Sequence, residues 1–94
     1  MDTLKVVVSG QSMWPNLNDG DTIDCIKYES QEIILGDIII FYHPFNSSTV
    51  LVKRVKKVRA NEYWVVGDNP DPTSSEDSHN FGYVGKSKII AFQR

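Results

Sequence analysis

Apolar positions in this chain come in short runs that alternate with polar ones at a period of two. Residues 4–8, 22–28, 38–42, 50–58, 62–66 and 88–92 each read as a strand, rich in Val, Ile and aromatic residues. In 22–28, Ile23 and Cys25 fall on one face and Asp24 and Ile26 on the other. Residues 38–42 form a fully apolar strand. Ile33-Ile34-Leu35 runs into a Gly36-Asp37 turn, and Ala60-Asn61 joins 50–58 to 62–66 as a hairpin. No stretch shows a sustained 3.6-residue period; residues 11–18 allow one short turn, with Pro15 near its start. The pattern predicts an all-β fold of antiparallel strands. Breakers gather in three loops, 10–21, 43–48 and 67–85, and the last is long enough to suggest function.

Size and charge narrow the classes. The 94 residues predict one domain over 1–94, able to bury roughly two thirds of its unfolded surface. Ten Lys and Arg against twelve Asp and Glu give a net charge of −2, which argues against a nucleic-acid binder. Strand alternation further splits Lys53, Arg54, Lys56, Lys57 and Arg59 between two faces. The single cysteine, Cys25, excludes an intrachain disulfide and fits a reducing compartment. No apolar run approaches the ~20 residues of a spanning helix, and no signal peptide is visible. The expectation is a soluble, cytoplasmic protein, unless a membrane anchor precedes this sequence.

Three constellations carry chemistry. Ser12-Met13-Trp14-Pro15 follows the first strand through Ser9-Gly10-Gln11. Gly10 permits close backbone approach and Pro15 stiffens the turn, so Ser12 could present its hydroxyl and its N–H to one carbonyl. An ordinary turn serine fits the same residues. Lys53 shares a strand face with Leu51 and Val55, an apolar setting that lowers an amine's pKa and can make it a general base. A lysine snorkelling to solvent is the plainer reading. Gly67-Asp68-Asn69 ends a strand, and Ser75-Glu76-Asp77-Ser78-His79 and Phe81-Gly82 follow. Nothing in the spacing brings His79 to Ser12 as a Ser–His–Asp triad, and His43, His79 and Cys25 lack metal-ligand spacing. No metal and no cofactor is expected.

Taken in order, these blocks resemble the signal peptidase I family of serine–lysine proteases. The family pattern is Ser-Met-x-Pro, Gly-Asp, Lys-Arg-Val, Gly-Asp-Asn, Ser-x-Asp-Ser-Arg and Phe-Gly. Here it stands as Ser12-Met13-Trp14-Pro15, Gly20-Asp21, Lys53-Arg54-Val55, Gly67-Asp68-Asn69, Ser75-Glu76-Asp77-Ser78-His79 and Phe81-Gly82. The resemblance implies the family's catalytic β core without its large inserted β domain, because residues 56–66 hold only a hairpin. It implies Ser12 as nucleophile and oxyanion N–H donor, Lys53 as general base, and Ser75 as the hydroxyl that orients the lysine. Arg54, Asp68, Asn69, Asp77 and Ser78 would brace the site, with an Arg54–Asp68 ion pair. Gly10, Gln11 and Met13 would meet a protein or peptide substrate bound in extended form.

The chain departs from the pattern at Asn16, where threonine is usual, at His79 in place of arginine, and at Tyr83 in place of proline. Gly10 stands where some members carry a side-chain oxyanion donor. Small size and Gly-Asp-Asn-Pro70 resemble short soluble members that trim the leader from nickel superoxide dismutase. Two other readings are a self-cleaving repressor-type domain and a non-catalytic β module descended from such a protease. Repressor-type domains cut an Ala-Gly or Cys-Gly bond in their own chain, and this sequence contains neither.

Overall fold

The computed structural model describes residues 2–71 and 76–94. Their strands are β1 (Thr3–Val7), β2 (Thr22–Lys27), β3 (Ile38–His43), β4 (Asn46–Arg59), β5 (Glu62–Val66), β6 (Val84–Gly85) and β7 (Ile89–Gln93). They form one sheet in the order β1-β2-β7-β3-β4-β5-β6, with every neighbouring pair antiparallel. The architecture is nearly all-β. A single helical turn, α1 (Ser78–Phe81), and a 3-10 turn at Lys86–Lys88 are the exceptions among the described residues.

The central strand β3 explains why 38–42 is unbroken apolar sequence. Its two alternating faces supply two different clusters. Ile39 and Phe41 pack with Val55, Tyr63, Val65, Phe81, Val84, Ile89 and Phe92. Ile40 packs with Val8, Ile23, Cys25 and Ala91. Both faces are therefore buried, and no polar position is tolerated until Tyr42 reaches solvent.

Two differences from the sequence pattern have physical causes. Residues 43–48, expected as a loop, contain only a tight turn at Pro44-Phe45; the polar run from Asn46 joins β4, where the Asn46 side chain accepts from Ser48. The helix α1 interrupts the expected loop because Asp77 caps it. Its side chain accepts from the His79 N–H while the Asn80 side chain accepts from the Asp77 N–H, a reciprocal box.

A bulge at Lys56 also corrects the expected split of the basic residues. Val55 pairs with Val65 but Lys57 with Trp64, so the alternation resets. Arg54, Lys57 and Arg59 then share the face opposite Val55. Each has a partner there: Arg54 on Asp68, Lys57 over the Trp64 ring, and Arg59 on Glu62 and the Tyr83 ring.

Candidate functional site

The sheet curls so that its β1 end faces β4, although three strands lie between them in the hydrogen-bonded order. A cleft of about 260 Å³ results, lined by Val6, Val7, Val8, Ser9 and Ser12 on one side and Val50, Leu51, Val52 and Lys53 on the other. Ser12 and Lys53, 41 positions apart in sequence, thus line one cleft. Among the described residues, its remaining walls are aliphatic apart from Ser9, and no carboxylate lines it.

Lys53 is 2% exposed. It pairs across the ladder with Ile39 and sits between half-buried Leu51 and buried Val55, on the face of the larger core. Burial lowers its pKa, and the charges of Asp77 and Glu76 oppose the shift only in part. The snorkelling reading of the sequence therefore does not hold: this amine lies inside.

The turn bearing Ser12 is built by its backbone. Gly10 has φ +83°, a conformation that favours glycine, and its N–H donates to Asp19 Oδ1 at 2.7 Å. Trp14 N–H donates to Gln11 O at 3.1 Å and Leu17 N–H to Met13 O at 2.8 Å, closing one helical turn. Met13, expected beside the substrate, is instead fully buried and anchors this turn from below. Gln11, also expected there, lines a separate shallow depression with Trp14, Asn18 and Asn69.

Asn69 ties the turn to the end of β5. Its N–H donates to Ser12 O at 2.9 Å and its amide Nδ2 to Gln11 O at 2.8 Å. Because a trans peptide is planar, fixing the Gln11 carbonyl also fixes the Ser12 N–H, which points the opposite way. Asp68 receives both Arg54 Nε (2.8 Å) and Arg54 Nη2 (2.7 Å), a bidentate pair, and Asn16 Nδ2 at 2.9 Å. Arg54 Nη1 continues to Gly36 O at 2.8 Å. One carboxylate thereby joins the Ser12 turn, β4 and the β5 end.

Asn16 replaces the expected threonine and serves this junction through its bond to Asp68. Burial alone would raise the Asp68 pKa, but the hydrogen bonds from Arg54 and Asn16 and the Arg54 and Lys56 charges outweigh it and hold it below the usual range. Stability from this pair is complete above the unfolded carboxylate pKa and is lost as pH falls through the lower folded value. Asp68→Asn is expected to destabilise by about 2–3 kcal/mol at neutral pH. That deficit should shrink in acid, as read by thermal unfolding from pH 7 to pH 2.

The last block divides its labour. Ser78 is 1% exposed and its Oγ accepts from Val65 N–H at 2.8 Å, locking α1 onto β5. Asp77 accepts from His79 Nδ1 at 3.0 Å. His79 makes this single contact where arginine would reach with a fork, and its ring meets the Trp64 ring at 5.5 Å. His79 lines a different cavity, with Asp71, Asp77 and Asn80, and not the Ser12 cleft. Ser75 lies outside the described residues. No group of three or more potential metal ligands occurs among the described residues.

The family model for peptidase S24-like proteins matches residues 2–88. The chain belongs to the peptidase S24-like family. The match takes in the Ser12 turn, the Lys53 strand and the Gly67-Asp68-Asn69 end of β5 together, so the cleft lies wholly within the shared region. No curated protein sequence matches the chain. This peptidase S24-like chain has no helix, among its described residues, long and apolar enough to cross a membrane.

Proposed function

We propose that the protein is a serine endopeptidase in which Ser12 is the nucleophile and Lys53 the general base, and that it removes an N-terminal leader from a protein substrate. The observation that carries this reading is the buried Lys53 sharing an aliphatic cleft with Ser12. A serine hydroxyl is a weak nucleophile and needs a neighbouring base. An amine desolvated as Lys53 is can be neutral near the working pH, take the hydroxyl proton, and return it to the leaving amine. Ser12 and Lys53 share no direct hydrogen bond; such contacts commonly tighten only when substrate closes the site.

The contacts support the other proposed roles. The Ser12 N–H, oriented through Asn69 and Gln11, is the oxyanion donor, worth roughly 3–4 kcal/mol of transition-state stabilisation. Arg54, Asp68 and Asn16 brace the turn, while Asp77 and Ser78 hold α1 beside β5. Ser75 is proposed to orient the amine. The β1 strand ends the sheet, so its outer edge is available to an extended substrate as an added strand. Gly10 and Gln11 would flank the scissile bond, and the small cleft favours small side chains there.

Within the peptidase S24-like family we place this chain nearest the signal peptidase I type, with a nickel superoxide dismutase precursor as the first substrate to test. Peptides spanning its leader junction are expected to be cut at one bond by the wild-type protein, as read by mass spectrometry. The family match also favours a second reading, a self-cleaving repressor-type domain. That reading requires a defined cut within the chain itself at raised pH. An intact chain together with peptide cleavage decides for the first.

A further inference from the structure

The mechanism leaves the buried, titratable side chain of His43 unused. His43 ends β3, with its side chain 10% exposed, and its ring is fixed from three directions. Phe45 N–H donates to Nδ1 at 3.0 Å. The Phe81 ring meets it edge-on at 5.0 Å, and the Phe45 ring lies at 6.1 Å. Since Nδ1 accepts, the neutral ring carries its proton on Nε2, which lies 2.6 Å from Glu76 Oε1.

Glu76 is otherwise a surface residue, with its side chain 56% exposed. A glutamate in that position ordinarily samples many rotamers. The bond to a ring that cannot move ties it to the end of β3, on the same core face to which Lys53 belongs. The charged groups that act on Lys53 are Asp77 and Glu76, both from the segment leading into α1. The cleft walls from β1 and β4 contribute none.

We infer that His43 is a positioning residue, whose Nε2–H bond to Glu76 holds that carboxylate within electrostatic reach of the Lys53 amine. The inference rests on the Ser12–Lys53 reading for its catalytic meaning. Asp77 is already fixed as the helix cap, with its side chain committed to His79. Glu76 is the adjustable charge, and His43 sets where it stands. A carboxylate there favours the ammonium and so works against burial. The base is thereby kept strong enough to take a hydroxyl proton while still being neutral for part of the time.

The experiment follows the Lys53 side chain by NMR through a pH titration, alongside the pH profile of leader-peptide cleavage. Glu76→Gln should move the Lys53 titration and the acid limb of the activity profile to lower pH by about half a unit. His43→Phe keeps a ring against Phe81, removes the donor, and should move both in the same direction. The double variant should titrate like Glu76→Gln alone, because His43 acts only through Glu76. His43→Gln, whose amide can still donate to Glu76, should keep the wild-type titration, and a shift in it like that of Glu76→Gln overturns the inference. An unmoved Lys53 titration in Glu76→Gln, or fully additive shifts in the double variant, overturns the inference. Absence of cleavage by the wild-type protein would instead sink the dyad assignment, while the NMR titration still reads the His43–Glu76–Lys53 coupling directly.

Discussion

Ser12→Ala is expected to abolish leader-peptide cleavage, with a fall in turnover on the order of 10⁴–10⁶-fold. The size of the loss follows from the chemistry of the cleft. Among the described residues, only Ser9 and Ser12 bring side-chain oxygens to its lining, and Ser12 alone sits on the turn held by Asn69 and anchored by Met13. Without its hydroxyl the Lys53 amine has no proton to take. What would remain is the proposed oxyanion N–H and the binding energy, neither of which forms an acyl-enzyme. The same substitution should change stability by no more than about 0.5 kcal/mol, since Ser12 is half-buried and makes its backbone contacts through atoms that alanine also has. Mass spectrometry of the cleaved peptide and a thermal melt, run on the same preparation, check both statements. A variant that melts normally and still cuts at the wild-type rate removes Ser12 from the mechanism.

Much of this site could be read before the fold was known. Lys53 could be placed between Leu51 and Val55 because strand alternation is strict in the middle of a sheet, where both faces are packed. Alternation fails three residues on, at Lys56, because a bulge leaves no signature that distinguishes it from a regular strand. The strands themselves were legible from β-branched runs, whereas β6 was not: two residues, Val84 and Gly85, carry no period. The helix α1 was hidden for the same reason, since four residues cannot show a helical repeat, although Asp77 three positions before Asn80 is its cap.

The contacts that organise the site were the least legible. Asn16 to Asp68 and His43 to Glu76 join residues 52 and 33 positions apart. Neither pair has a pattern, because a hydrogen bond between loops depends on where the sheet brings them and not on spacing. Met13, buried beneath the turn, shows a related effect. A methionine next to a candidate nucleophile suits a substrate wall, but its apolar side chain is better satisfied beneath the turn.

Lys53→Met is expected to abolish cleavage and, at neutral pH, to stabilise the fold by about 1–3 kcal/mol. The two effects have one origin. Burial is the largest influence on the Lys53 amine and lowers its pKa from the ordinary 10.5, so the folded protein holds the proton less tightly than the unfolded chain. Between the lowered folded value and 10.5 the unfolded chain binds more protons, so stability rises with pH across that window. Below the window the folded state carries a charged amine among aliphatic neighbours, and its cost is complete. Methionine matches the length of the stem and removes that cost, while Asp77 keeps its helix-cap contacts and Glu76 its bond to His43. Denaturant unfolding of wild type and Lys53→Met from pH 6 to pH 11 should therefore converge as pH rises, the wild type gaining what the variant already has. A wild-type curve that stays parallel to the variant's, or a Lys53→Met protein less stable than wild type at pH 7, would mean that the amine is charged and well paired in the folded state. A lysine of that kind cannot serve as the base for Ser12.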